Sequence, residues 1–273
     1  MARSSAAPSV SWNGIRQRRS RPHSGVSWCR PSARLSSRSR SQPATSVIRA
    51  VPPRTISGRS TFSMLSLSIP SLSRLSTVTG TMDLMNIMLF HSTYGLRPAV
   101  HAAADRLRAA GHEVHVPDLF GGHTFESVEE GLAFKEETGK EELLKRAVLA
   151  AAPYSDRGLV YVGFSLGASV AQTLALGDAK ARGLLLFHGT SDIAENASVD
   201  DLPVQLHVAD PDPFETHDWL NSWYLQMQRT GADVEVYRYP GAGHVFTDAE
   251  LPDFDQASAE LAWKVAIGFL ATL

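Results

Sequence analysis

Short apolar runs alternate with longer amphipathic segments along most of this chain. Apolar positions that are consecutive or spaced by two predict β-strands, and apolar positions spaced by three and four predict helices. The strand pattern covers residues 86–91, 113–117, 159–163, 184–187, 204–208 and 234–239. The helical pattern covers residues 97–110, 127–138, 141–152, 169–175, 215–229 and 254–270.

The order of these elements predicts the fold class. Strands that alternate with helices are typical of a parallel sheet covered by helices on both faces. Residues 184–187 are apolar throughout, as expected for a strand buried on both sides, whereas residues 234–239 alternate and fit the edge of the sheet. We therefore predict an α/β fold with a mostly parallel, doubly wound sheet flanked by helices.

Residues 1–82 differ in composition from the rest of the chain. They contain 13 of the 26 Lys and Arg residues, all of them arginine, and no Asp or Glu. This Arg- and Ser-rich stretch has no apolar periodicity and cannot bury enough surface to fold alone. The sequence thus predicts a disordered extension over residues 1–82 and one folded domain over residues 83–273.

Three explanations of the extension stay open. A start codon assigned too far upstream in GC-rich DNA would yield mostly Arg, Ser, Pro and Ala, and Met82 and Met85 both stand just ahead of the first predicted strand. An organellar targeting segment has the same Arg-rich, acid-poor composition. A basic arm that binds nucleic acid is the third explanation. The absence of lysine from the extension favours the mis-assigned start.

The predicted domain is strongly acidic. Residues 83–273 carry the other 13 basic residues and all 28 acidic ones, a formal charge of −15. Such a charge argues against nucleic acid as a partner of the domain. No segment is long and apolar enough to span a membrane. We expect a cytoplasmic protein, a monomer or a small homo-oligomer that acts on a small molecule, with organellar targeting by the extension left open.

Cysteine chemistry is excluded from the predicted domain, because Cys29 is the only cysteine and lies in the extension. The domain thus has no disulfide, no thiolate nucleophile and no cysteine metal ligand. His112 and His115 are three residues apart without a third candidate ligand, and no H-E-x-x-H motif occurs. We therefore expect neither a metal nor a cofactor.

The clearest chemical signal is a G-x-S-x-G motif at residues 163–167. It lies between a predicted strand and a predicted helix, the context of a nucleophile elbow. Gly163 and Gly167 leave room for the sharp turn that would lift the Ser165 hydroxyl above the sheet. The backbone N–H of Leu166 would open the helix, where donors are unpaired. We predict Ser165 as the nucleophile and Leu166 N–H as an oxyanion donor.

A serine hydroxyl needs a base to take its proton, and the base needs an acid to orient it. His244 follows the strand at 234–239 in a glycine-rich loop, and Asp210 and Asp212 both follow the strand at 204–208. The order Ser, Asp, His along the chain is that of the α/β-hydrolases. We favour Asp212 as the acid because it lies farther past its strand, with Asp210 as the alternative.

The loop after the first strand, residues 91–95, would supply the second oxyanion donor, and we expect this to be the N–H of Thr93. Ser92 and Tyr94 flank that donor and are candidate substrate contacts. Arg97 is the arginine nearest this loop and is either a substrate contact or a solvated residue at the start of a helix. His123 lies in a loop that would overhang the pocket and is a further candidate contact.

Four segments of the predicted domain resemble the dienelactone hydrolase family. They are FHSTYGLRP (residues 90–98), GFSLG (163–167), ADPDPF (209–214) and YPGAGH (239–244). The resemblance covers nearly all of residues 85–273. It implies a compact α/β-hydrolase fold, no bound metal, and cleavage of esters or cyclic enol-lactones. It also implies Asp212 rather than Asp210 as the acid, and Thr93 with Leu166 as the oxyanion pair.

Two positions depart from the family pattern. Members usually have cysteine where this chain has Ser165, and a glutamate that manages the thiol where this chain has Ser92. The two changes agree with each other, because a serine needs no such carboxylate, but they weaken the case for dienelactone itself, which is an anion. We predict a serine hydrolase of small carboxylic esters or lactones, including enol-lactones. The alternative is a non-catalytic domain of the same fold that binds a ligand or a partner.

Overall fold

A computed structural model describes residues 84–273, and the predicted extension lies outside the described residues. Within this part of the chain, six strands form one sheet: β1 (Asn86–Phe90), β2 (Glu113–His115), β3 (Leu159–Phe164), β4 (Gly183–Phe187), β5 (Pro203–Asp210) and β6 (Asp233–Pro240). Their order across the sheet is β2-β1-β3-β4-β5-β6, and every neighbouring pair is parallel. The predicted parallel sheet is confirmed, with β6 at an edge as expected.

The helices lie on both faces of this sheet. They are α1 (Pro98–Ala109), α2 (Val128–Thr138), α3 (Lys140–Ala151), α4 (Leu166–Gly177), α5 (His217–Arg229) and α6 (Gln256–Leu270). Leu184 and Leu186 of β4 share a buried core with α3, α4 and α5. Leu185 and Phe187 point the other way and share a second core with α1 and α6. The sheet is therefore doubly wound, because successive side chains of a buried strand face opposite layers.

Two element boundaries differ from the predicted ones in an informative way. Strand β2 ends at His115 and pairs only as far as Met88, ahead of Pro117, which has no N–H to donate to a neighbouring strand. Helix α4 begins at Leu166, directly after Ser165, rather than three residues later. The candidate nucleophile is consequently the residue that joins strand to helix.

The strand order places the candidate site. The chain runs from β1 outward to β2 and then returns to β3 on the other side of β1. The loops after β1 and β3 therefore diverge at a topological switch point, where parallel α/β sheets bind their ligands. Phe90 and Gly163, near the carboxyl ends of the two strands, are paired in register. None of the described helices is long and apolar enough to cross a membrane.

Candidate active site

Ser165 occupies a strained turn between β3 and α4. Its φ of 50° and ψ of −109° lie in a region that side-chain-bearing residues seldom adopt. The glycines around it are required by close packing. A Cβ at Gly163 would overlap the carbonyl group of Gly167, and a Cβ at Gly167 would overlap that of Phe90. A Cβ at Gly189 would come within 2.8 Å of the Ser165 carbonyl oxygen. Gly163 thus lets the turn close on itself, Gly167 lets it lie against the end of β1, and Gly189 lets the loop after β4 approach Ser165.

The three side chains predicted to cooperate lie in one hydrogen-bonded series. Ser165 Oγ lies 3.0 Å from His244 Nε2, and His244 Nδ1 lies 2.8 Å from Asp212 Oδ2. The Asp212 side chain is fully buried, and its Oδ1 accepts hydrogen bonds from the N–H groups of Phe214 and Glu215 at 2.8 and 3.1 Å. A carboxylate so held accepts the Nδ1 proton, which leaves Nε2 free to accept the serine proton.

Asp210, the alternative acid, lies elsewhere. Its Oδ1 is 2.7 Å from Nε2 of His217, an exposed histidine at the start of α5. Asp210 is the last residue of β5, whereas Asp212 lies two residues into the loop, where its carboxylate turns back toward His244. The structure therefore brings Asp212, and not Asp210, to the imidazole.

The loop after β1 lies against the elbow and is held by a buried histidine that sequence reasoning did not single out. His91 donates from Nδ1 to the carbonyl of Ser92 at 2.7 Å and accepts at Nε2 from the N–H of Leu119 at 3.0 Å. Burial lowers the pKa of His91 and so favours this neutral ring. The N–H groups of Thr93 and Leu166 donate no hydrogen bond to any described residue, which leaves both available for an oxyanion.

The other predicted substrate contacts make mainly internal contacts. Ser92 Oγ accepts from the N–H of Tyr94 at 3.3 Å. Arg97 is only 8% exposed, so the interpretation of it as a solvated residue is wrong. Its guanidinium donates to the carbonyl of Phe125 and to Glu250, each at 3.4 Å, and lies 5.6 Å from the Tyr94 ring centroid. These contacts join the start of α1 to the loops on either side of it.

His123 lies at the surface of the loop between β2 and α2. Its side chain is exposed, and its ring centroid lies 4.8 Å from that of Phe134 in α2. The carbonyl of His123 comes so near Gly95 that any Cβ at position 95 would overlap it. Gly95 therefore allows the two loops to meet.

Glu215 is a second buried carboxyl group near the site, which the sequence pattern did not reveal. It accepts hydrogen bonds from Thr190 through the backbone N–H at 2.9 Å and the hydroxyl at 2.7 Å. Trp219 Nε1 donates to the same hydroxyl at 2.7 Å. Burial raises the pKa of Glu215 to about 7, although the hydrogen bonds from Thr190 oppose this. The side chain ties the loop after β4 to the loop that carries Asp212.

A cavity of about 380 Å³ opens between α1 and α6, beside the site. It is walled mostly by apolar side chains and reaches Ser92, Phe164 and His188, but neither Ser165 nor His244 lines it. The His188 ring centroid is 6.3 Å from that of His244. The cavity therefore lies next to Ser165 and His244, but neither of these side chains forms part of its wall.

Within residues 84–273, no three His, Cys, Asp or Glu side chains are grouped as a protein metal site would require. The arrangement at the carboxyl edge of the sheet instead joins a strained serine, an imidazole and a buried carboxylate to two unpaired N–H groups. Such a constellation can transfer an acyl group to water.

The fold and this geometry define an α/β-hydrolase. A model of the dienelactone hydrolase family matches residues 75–273, and the chain belongs to that family, whose members are hydrolases. No curated protein sequence matches the chain.

Solved structures share the fold at low sequence identity. A dienelactone hydrolase-like promiscuous phosphotriesterase, P91, from metagenomic libraries is 19% identical with a TM-score of 0.60, over 69% of this chain and 86% of that one. A putative dienelactone hydrolase from Klebsiella pneumoniae subsp. pneumoniae is 15% identical with a TM-score of 0.57, over 72% and 90%. MGS-M1, an α/β-hydrolase from a Medee basin deep-sea metagenome library, is 15% identical with a TM-score of 0.52, over 73% and 90%.

Proposed function

We propose that this protein is a serine hydrolase that cleaves small carboxylic esters or lactones, including enol-lactones, through an acyl-enzyme intermediate. The observation that supports this most strongly is the series Ser165–His244–Asp212, with contacts of 3.0 and 2.8 Å, at the carboxyl edge of the sheet. Each side chain follows a different strand, so the series depends on the whole fold.

In the proposed reaction, Ser165 Oγ attacks the ester carbonyl carbon while its proton passes to His244 Nε2. Asp212 accepts the Nδ1–H of the resulting imidazolium and stabilises its charge. The N–H groups of Leu166 and Thr93 donate to the tetrahedral oxyanion, and each such donor contributes about 3–4 kcal/mol in comparable sites. The bond to the leaving oxygen then breaks as that oxygen takes the proton from His244.

Deacylation repeats these steps with water. His244 takes a proton from a water molecule, whose oxygen attacks the acyl carbon, and then returns the proton to Ser165 Oγ as the acyl bond breaks. The products are the free acid and the alcohol; a simple lactone gives the ring-opened hydroxy acid, and an enol-lactone gives an enol that tautomerises to the keto acid. Burial of Asp212 strengthens its attraction to the imidazolium, because water screens it little there.

The hydrolysis of p-nitrophenyl acetate by the full-length protein tests this proposal. We expect Ser165→Ala to abolish turnover while the circular dichroism spectrum stays that of the wild type. Ser222→Ala, which changes an exposed serine on α5, is the matched control and should retain wild-type turnover. Equal turnover by Ser165→Ala would remove Ser165 from its role. A folded wild-type protein that hydrolyses no ester or lactone would favour the non-catalytic alternative.

We also propose that residues 83–273 form the catalytic domain, that the protein acts in the cytoplasm, and that it works as a monomer or a small homo-oligomer. The match of the family model to residues 75–273 supports the first of these proposals. Light scattering of the full-length protein measures its oligomeric state.

A further inference from the structure

Carboxylate groups follow His244 closely in the chain. The loop between β6 and α6 carries Asp248, Glu250, Asp253 and Asp255. Asp253 packs against this loop on both sides of His244: a Cβ at Gly243 would lie 2.6 Å from the Asp253 Cβ, and Asp253 Oδ2 accepts from the N–H of Val245 at 3.2 Å. The carboxylate of Asp253 thus lies against the two residues that flank His244.

A further carboxylate is carried by the helix that lies against the loop after β1. Helix α2 touches that loop where Gly131 meets the carbonyl of Thr93, and Glu129 is in the first turn of the same helix. Burial raises the pKa of the Tyr94 phenol, next to Thr93. Three carboxylates, those of Asp253, Glu129 and Asp248, raise that pKa further, and the guanidinium of Arg97 lowers it. At Tyr94, beside the proposed oxyanion donor, three carboxylates thus act against one cation.

The loops at the carboxyl edge of the sheet contain little positive charge, and that charge is paired with a carboxylate. The loops that follow β1, β2, β5 and β6 cover residues 91–97, 116–127, 211–216 and 241–255. Apart from the buried Asp212 and Glu215, they contain six Asp and Glu residues but one Lys or Arg, which is Arg97. Arg97 is buried and paired with Glu250, so it is not presented to an incoming anion. The edge that a substrate must cross is acidic.

We propose, on the basis of the function proposed above, that the site selects neutral and cationic esters and rejects esters whose acyl chain carries a carboxylate. Charges of one sign around a cleft attract substrates of the opposite sign and repel those of the same sign. The selectivity is opposite to that expected for a hydrolase of dienelactone, which is an anion. The preferred substrate is thus a small ester with an uncharged or an amine-bearing acyl chain.

Three p-nitrophenyl esters of matched length test this inference on the full-length protein. They are the hexanoate, which is neutral, the hemiadipate, which is anionic and whose carboxylate is too far from the ester to form a five-membered anhydride, and the 6-(trimethylammonio)hexanoate, which is cationic. The value of kcat/KM for each is divided by the rate constant of its uncatalysed hydrolysis. We expect the cationic ester to exceed the anionic one by at least about tenfold at low ionic strength, and the ratio to shrink in high salt, because salt screens surface charge.

Charge-neutralising variants identify the groups responsible. The double variant Glu129→Gln, Asp248→Asn keeps side-chain shape and should lower the cation-to-anion ratio by about two- to fourfold for each charge removed. Asp156→Asn is the control. Asp156 lies just before the amino end of β3, whereas the candidate site lies at the carboxyl ends of the strands, and it pairs with Lys180 on the surface. This variant should therefore leave the cation-to-anion ratio unchanged.

The outcomes separate this inference from the function on which it rests. Hydrolysis of all three esters with an anionic rate equal to or above the cationic one overturns the charge selectivity alone. A wild-type protein that hydrolyses none of them overturns the proposed function, and the selectivity with it. A cationic preference that is the same in the double variant as in the wild type overturns the assignment to Glu129 and Asp248.

Discussion

Gly131 of α2 lies directly against the carbonyl group of Thr93, so closely that a Cβ at position 131 would overlap the Thr93 oxygen and carbonyl carbon. In the sequence this glycine only weakens the helical pattern of residues 127–138. In the structure it allows a helix to support the loop that carries a proposed oxyanion donor. The departure from good helix propensity is thus explained by a contact with the site.

We therefore expect Gly131→Ala to destabilise the protein, although alanine has the higher helix propensity. Alanine in place of a helical glycine ordinarily stabilises by about 1 kcal/mol, but overpacking costs about 1–3 kcal/mol. We expect a lower melting temperature and a kcat reduced by about tenfold or more, because Thr93 must move and loss of one oxyanion donor reduces kcat by about 100- to 1,000-fold. Ester hydrolysis and thermal denaturation measure the two effects.

Gly268→Ala in α6 is the matched control for this prediction. Its Cβ would meet no atom within 4 Å, so helix propensity should act alone and raise the stability without changing kcat. A Gly131→Ala variant with wild-type kcat and increased stability, like that expected of Gly268→Ala, would contradict the proposed support of Thr93.

Two neighbouring aspartates should differ widely in their importance for catalysis. Asp212→Asn leaves a side chain of the same shape that no longer requires the Nδ1–H tautomer of His244, and in a comparable triad this change reduces kcat by about 10,000-fold. We expect a loss of that order in the kcat for p-nitrophenyl acetate. Asp210→Asn disturbs only the pair with the exposed His217 and should change kcat by less than about threefold. Similar losses of kcat in the two variants would contradict the assignment of Asp212 as the acid that orients His244.

Glu215 should make the stability of the protein fall as the pH rises. Burial raises the pKa of Glu215 to about 7, above the ordinary value of 4.5, so the folded state retains a proton that the unfolded state has released. Stability then decreases between about pH 4.5 and pH 7 and levels off above that range, by about 3 kcal/mol in all for this group.

The difference between wild type and Glu215→Gln isolates this contribution. The amide can still accept from the Thr190 N–H but does not titrate, so the stability of the wild type relative to the variant should fall by about 3 kcal/mol between pH 4.5 and pH 7, whatever the other groups contribute. Urea denaturation at a series of pH values gives both curves. Parallel curves for the two proteins would mean that Glu215 titrates normally in the folded state.

The sequence predicted the architecture because its strands and helices carry unambiguous periodicity. Residues 184–187 are continuously apolar, and the structure buries alternate side chains of β4 in two different cores. The strand–motif–helix context of Ser165 was equally local. Such features need no knowledge of distant contacts, and they were therefore readable from the chain.

Other features depend on contacts between distant segments and could not be read in advance. The choice between Asp210 and Asp212 is decided by the direction of two side chains after β5, one toward His217 and the other toward His244. Arg97 resembles an exposed residue at the start of a helix, yet the loop that contains Glu250, more than 150 positions later, helps to bury it. No pattern in the sequence encodes such pairings.

The most direct test of the account is covalent labelling of the wild-type protein with a fluorophosphonate, followed by digestion and mass spectrometry. Only a serine activated by a neighbouring base reacts readily with this probe. We predict one adduct, on the peptide that contains Ser165, and its loss in His244→Ala. Ester hydrolysis by a protein that forms no adduct, or an adduct on a different residue, would contradict the assignment of Ser165 as the nucleophile.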